Sequence, residues 1–107
     1  TPNPCDQSGV EGGELDPVLG VQAKPNPFAG SVSFRIAGPN ATVARLLIFD
    51  AAGRLVRTAW NGMLTGRAFT VTWDGRDDSG REAATGIYMV RLESGSGNAM
   101  GRLVKLR

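Results

Sequence analysis

The chain has no histidine and only one cysteine among its 107 residues. Without histidine it lacks the usual general base near neutral pH and the commonest metal ligand. A lone cysteine can close neither an internal disulfide nor a thiolate zinc site. No run of 18 apolar residues occurs, so no segment reads as a membrane-spanning helix. These absences exclude most catalytic chemistry and leave a small folded module as the first expectation.

What the chain does have is punctuation. Fifteen glycines and 6 prolines favour many short strands over long helices. An apolar content of 41% lies near the globular range and argues against wholesale disorder. At this length one domain is expected, with core enough to fold without staples. Charge is uneven. Residues 1–20 carry Asp6, Glu11, Glu14 and Asp16 and no basic residue, whereas residues 21–107 carry all 12 lysines and arginines against the remaining acids. The first 20 residues, rich in proline, glycine and acid, read as an extended linker or the tail of a preceding domain. Cys5 falls there, either as an incidental thiol or as half of a disulfide to an external partner. Residues 21–107 read as the folded domain.

From residue 20 onward apolar residues alternate with polar ones. A short strand near residues 20–24 is followed by Val32, Phe34 and Ile36, and then by the strongly apolar stretch 43–49. Asp50-Ala51-Ala52-Gly53 reads as a hairpin turn into a strand over 54–60, and residues 61–66 read as a loop. Phe69, Val71 and Trp73 form the next strand, Tyr88, Val90 and Leu92 another, and 94–98 reads as a flexible turn. Val104 and Leu106 are the expected inward residues of the last strand. Seven strands at this spacing predict an all-β antiparallel sandwich with no helix longer than a turn. Its expected core is Val32, Phe34, Ile36, Leu46, Ile48, Val71, Trp73, Tyr88, Val90, Leu92 and Val104. Gly53, Gly75, Gly80 and Gly86 are the expected turn positions.

Three features occur in order. Pro25-Asn26-Pro27-Phe28 precedes the first core strand. Leu46 to Arg57 is a strand-turn-strand unit around Asp50 and Gly53. Trp73-Asp74-Gly75-Arg76-Asp77 runs through Gly80 to Gly86-Ile87-Tyr88. Together they resemble the Ig-like domain first named in the flagellar hook-capping protein, and also the C-terminal sorting domain of the type IX secretion system, the Por secretion tail. The resemblance covers about residues 20–107. It implies an Ig-like or fibronectin III-like seven-stranded antiparallel β-sandwich at the end of an exported bacterial protein. There the module serves sorting, anchoring or docking, in contact with secretion machinery or a larger extracytoplasmic assembly.

Other residue groups carry competing chemistry. Asp74, Asp77, Asp78 and Glu82 put four carboxylates in one short stretch, the raw material of a calcium loop. Their spacing departs from the Asp-x-Asp-x-Asp-Gly pattern, and Arg76 and Arg81 lie among them, so turn-forming Asp residues are the favoured reading. A paired-carboxylate hydrolase would draw on the same acids, but no further catalytic inventory accompanies them, and the chain reads as a non-enzyme without a cofactor. Trp60, Phe69, Trp73 and Tyr88 could form a sugar-stacking platform, as on a carbohydrate-binding appendage, although strand aromatics usually pack a core. Arg35, Arg45, Arg57, Arg91, Arg102 and Lys105 occupy alternating strand positions. Without a nucleic-acid motif they read as solvated sheet faces, and no nucleic-acid partner is expected. A docking role would use a sheet edge or the N-terminal segment.

Overall fold

The computed structural model describes residues 19–95 and 97–107. The segment expected to be a linker lies, up to residue 18, outside the described residues, and Cys5 lies with it. The strands are β1 (Gly20–Lys24), β2 (Val32–Ala37), β3 (Thr42–Asp50), β4 (Leu55–Leu64), β5 (Phe69–Trp73), β6 (Gly86–Ser94) and β7 (Gly97–Lys105). They form a three-stranded sheet, β1-β2-β5, packed on a four-stranded sheet, β4-β3-β6-β7, with every strand pair antiparallel. This is the Ig-like, fibronectin III-like β-sandwich that the strand spacing predicts. Among the described residues no helix is long and apolar enough to cross a membrane.

The inward faces follow the period of two. Val32, Phe34 and Ile36 of β2 meet Leu46 and Ile48 of β3 and Val90 and Leu92 of β6, all almost completely buried. Each such side chain contributes about 1.5–3 kcal/mol on removal from water. Val71 packs half-buried against this cluster. An aromatic group closes one end: Phe28 and Tyr88 lie 5.8 and 5.6 Å from the Trp73 ring, both inclined to it. The Trp73 indole N–H donates to the Arg76 carbonyl at 2.8 Å, and the Tyr88 hydroxyl donates to the Ala84 carbonyl four residues upstream. The second contact, near the start of β6, has the form of the tyrosine corner of Ig-type sandwiches.

Three expectations are corrected. Residues 61–64 are not a loop, because β4 runs through them and ends on the fully buried Leu64. Gly62, which looks like turn punctuation, is a packing glycine: a Cβ there would sit 2.9 Å from Cζ2 of Trp60, whose ring covers the site. Residues 97–98 are likewise not a flexible turn, since β7 begins at Gly97 opposite Ser94. Third, Val104 is not a core residue. Leu103 pairs with Tyr88 and points inward at 0% exposure, Lys105 follows inward at 2%, and Val104 and Leu106 turn outward. The stretch 103–106 is apolar in both phases except at Lys105, so alternation alone favoured the wrong face, and a one-residue shift reverses every side chain.

The Pro25–Phe28 motif has a definite task. The Asn26 side chain donates to the Arg102 carbonyl at 2.8 Å and accepts from the Val104 amide at 3.0 Å. Its amide group thus serves the outer edge of β7 as a strand backbone would. Phe28 continues the seal, donating to the Val104 carbonyl and accepting from the Leu106 amide, and Gly30 donates to the Arg107 carbonyl.

Candidate functional site

The acidic loop spans residues 74–85, between β5 of one sheet and β6 of the other. Its four carboxylates separate into four different contacts. Asp74 Oδ1 accepts the Arg76 amide at 3.1 Å. Asp77 Oδ1 accepts the Ser79 amide, the Ser79 hydroxyl and the Arg81 amide. Asp78 turns to β4, where its amide donates to the Val56 carbonyl and its Oδ1 accepts the Thr58 amide at 3.3 Å. Glu82 Oε2 lies 3.6 Å from Nζ of Lys105. Among the described residues no three acidic, histidine or cysteine side chains converge as a metal would need. The loop's carboxylates fold the loop.

Lys105 is the unexpected member. Its side chain is 1% exposed and runs beneath the loop to reach Glu82, which is itself largely exposed. Alternation groups it with the arginines on solvated sheet faces, but the six residues do not all lie on one surface and Lys105 is not solvated. Arg35 lies on the outside of the three-stranded sheet, and Arg45, Arg91 and Arg102 on the outside of the four-stranded one. Arg57 turns to the acidic loop, donating to the Asp77 carbonyl at 3.2 Å. Lys105 is inside because its stem fills space at the sandwich end while its ammonium finds a carboxylate.

The two turns are one device used twice, a recurrence the sequence shows as Asp-x-x-Gly-Arg. In Asp50-Ala51-Ala52-Gly53-Arg54, Oδ1 of Asp50 accepts the Ala52 and Arg54 amides, and the Asp50 amide donates to the Arg54 carbonyl. In Asp77-Asp78-Ser79-Gly80-Arg81 the same bonds run from Ser79 and Arg81 to Asp77, and from Asp77 back to Arg81. Gly53 and Gly80 take φ of +86° and +90°, a region that L side chains disfavour. Gly75 also has positive φ, as a turn position should, whereas Gly86, with φ of +142°, is not in a turn but opens β6 opposite Lys105. Hydrogen bonds from Ser79, then from the Arg81 amide, hold the Asp77 carboxyl below its ordinary value, and the Arg54 amide does the same for Asp50. Both turns line an open cleft of about 770 Å³ that also takes in Leu55, Val56, Ile87 and Tyr88.

The aromatic side chains do not make a platform. Trp73 and Tyr88 are buried, and Trp60 meets Phe69 edge-on at 5.1 Å, with ring planes 60° apart and both rings half-buried. Stacking on a sugar needs an exposed flat face, which these pairs do not offer.

The family model for the FlgD Ig-like domain matches residues 22–98, a span that holds the Asp50 turn and the whole acidic loop. The chain belongs to the FlgD Ig-like domain family. As a FlgD Ig-like domain it also has counterparts among solved structures. Dimeric latent PorU from Porphyromonas gingivalis superimposes over 86% of this chain with a TM-score of 0.67 and 24% identity. PorZ, described as an essential bacterial surface component of the type IX secretion system of the same organism, superimposes over 81% with a TM-score of 0.57 and 26% identity. The chain spans about a tenth of the length of each. No curated protein matches it.

Proposed function

We propose that this FlgD Ig-like domain is a non-catalytic sorting or anchoring module, carried at the C-terminal end of an exported bacterial protein and working outside the cytoplasm. The observation that carries the reading is the likeness to PorZ, a surface component of the type IX secretion system, on top of membership of the family. The acidic loop supports the non-catalytic part, because Asp74, Asp77 and Asp78 are engaged in holding backbone amides and Glu82 faces the ammonium of Lys105. The test is a fusion of the full chain behind a periplasmically folded reporter, expressed in a bacterium with a type IX system. Delivery of the reporter to the surface or medium is the expected result. Retention in the periplasm overturns the reading.

A second reading, docking onto a larger extracytoplasmic assembly, is favoured by one surface. The outward side of the four-stranded sheet exposes Leu55, Ile87 and Met100 where water would select polar residues.

A further inference from the structure

The two sheets turn unlike faces outward. On the three-stranded sheet the outward residues of the two rows that cross all three strands are Gln22, Lys24, Ser33, Arg35, Thr70 and Thr72, all polar. On the four-stranded sheet Leu55, Phe49 and Met89 stand side by side in one register row that ends on Arg102, Leu47 and Met100 flank Arg91 in the next, and Ile87 lies beyond. Ile87, Leu55 and Met100 are 47%, 50% and 59% exposed, while Leu47 beneath them is already 5% exposed. A sheet with one side in water alternates apolar inward and polar outward, whereas a sheet covered on both sides is apolar on both. This outer face departs from the first pattern: exposed apolar side chains are interleaved there with Arg91 and Arg102, a mixture that suits a partner combining apolar and acidic groups.

The border of the face is basic, and Arg91 stands inside it between Leu47 and Met100. Arg45 and Arg91 share the single carboxylate of Glu93, each at 2.7 Å. Arg102 on β7 has no carboxylate within ion-pair distance among the described residues, nor does Arg81, which lines the cleft onto which Leu55 and Ile87 open. In the middle, the Arg91 guanidinium lies 4.6 Å from the centre of the Phe49 ring, and its buried Nε has no acceptor.

We propose that the outer face of the four-stranded sheet docks a protein segment whose apolar side chains alternate with carboxylates, laid across Leu47, Phe49, Met89 and Met100. The proposal rests on the docking reading above and names its surface and partner chemistry. The partner meets the face rather than extending the sheet, because Asn26 occupies one edge and Asp78 the other at this end. A second copy of the chain would set the same arginine border against itself, which charge disfavours.

The probe is a synthetic peptide of alternating leucine and glutamate, with its leucine–lysine counterpart as control, titrated into the isotope-labelled full chain. The expected result is that the glutamate peptide shifts the backbone amides of Leu47, Phe49, Met89 and Met100 and spares those of Gln22, Arg35 and Thr70. Binding weakens with added salt, and the lysine peptide leaves the spectrum unchanged. Met100→Glu and, separately, Arg102→Glu weaken the affinity about tenfold in a chain whose circular dichroism is unaltered, while Arg35→Glu leaves it unchanged. Equal binding of both peptides, no binding, or shifts on the three-stranded sheet overturn the proposal. Self-association of the free chain that Met100→Glu abolishes assigns the face to a second copy and also overturns it. So does a shift of the same amides on removal of residues 1–18, which assigns the face to the chain's own segment. Export is not read in this test, so its failure is separate from a failure of the sorting role.

Discussion

Gly75 stands where no side chain fits. Its φ is +80°, and a Cβ would lie 2.7 Å from the Gly30 carbonyl oxygen, a backbone atom that cannot swing aside. Gly75→Ala combines backbone strain with overpacking and is expected to cost at least about 2 kcal/mol, measured by urea denaturation. Gly80→Ala has a similar φ but open space around it, so it should cost distinctly less. Titration acts at the same scale. The hydrogen bond from Ser79 to Asp77, that from the Arg54 amide to Asp50, and that from Arg45 to Glu93 all hold carboxyl groups below their ordinary values. A carboxylate depressed on folding contributes stability that is complete above its unfolded pKa and lost as pH falls through the folded one. With no histidine to titrate between, Tm should stay level from neutral pH to about pH 5 and fall below about pH 4. Asp77→Asn should blunt that fall. At alkaline pH the sign reverses. Burial, aided by the nearby Asp50 charge, raises the Tyr88 hydroxyl above 10.0, so its contribution is complete below that value and declines as pH rises past it. Melting curves recorded from pH 2 to 11 check both limbs.

At the scale of the elements, side chains stand in for strands. Asn26 on β7 and Asp78 on β4 each engage an edge amide, and through Nδ2 of Asn26 and the backbone amide of Asp78 each engages an edge carbonyl as well. Asn26→Ala removes two such bonds and should destabilise by about 1–2 kcal/mol, with faster hydrogen exchange at the Val104 amide and little change at Val90. Most of this level is legible in the sequence. Alternation at Val32–Ile36 and Tyr88–Leu92 places both faces of β2 and β6, and the Asp50 and Asp77 turns announce themselves by aspartate followed by glycine three residues on. What is hidden is hidden for physical reasons. Gly62 serves the Trp60 ring, a long-range fact that mimics local turn chemistry. The phase of β7 depends on Lys105 burying its stem, which no hydropathy pattern announces. The mixed outer face is spread over β3, β4, β6 and β7, and becomes a surface only when pairing brings those rows together.

For the whole molecule, the folded domain has one polar face, one face that mixes exposed apolar side chains with arginines, and an end organised by the acidic loop. Asp74, Asp77, Asp78 and Glu82 are dispersed into separate contacts, so the domain's stability is expected to be independent of divalent cations. Tm should therefore be the same in millimolar calcium and in excess chelator. A rise with calcium would mean that these side chains leave their present partners to bind it. Binding of calcium to the folded state alone would add stability by mass action and could not be missed in such a scan.

The side chains seated on the two margins of the four-stranded sheet also bear on what the domain can become in a crowd. A chain of β-domains grows into a fibre when one molecule's open margin templates the next. Here an arriving strand would meet Asn26 on one side and Asp78 on the other, each already holding the amide it would need. Propagation from the four-stranded sheet along its hydrogen-bonding direction is therefore hindered at the end of the sandwich where these two side chains sit.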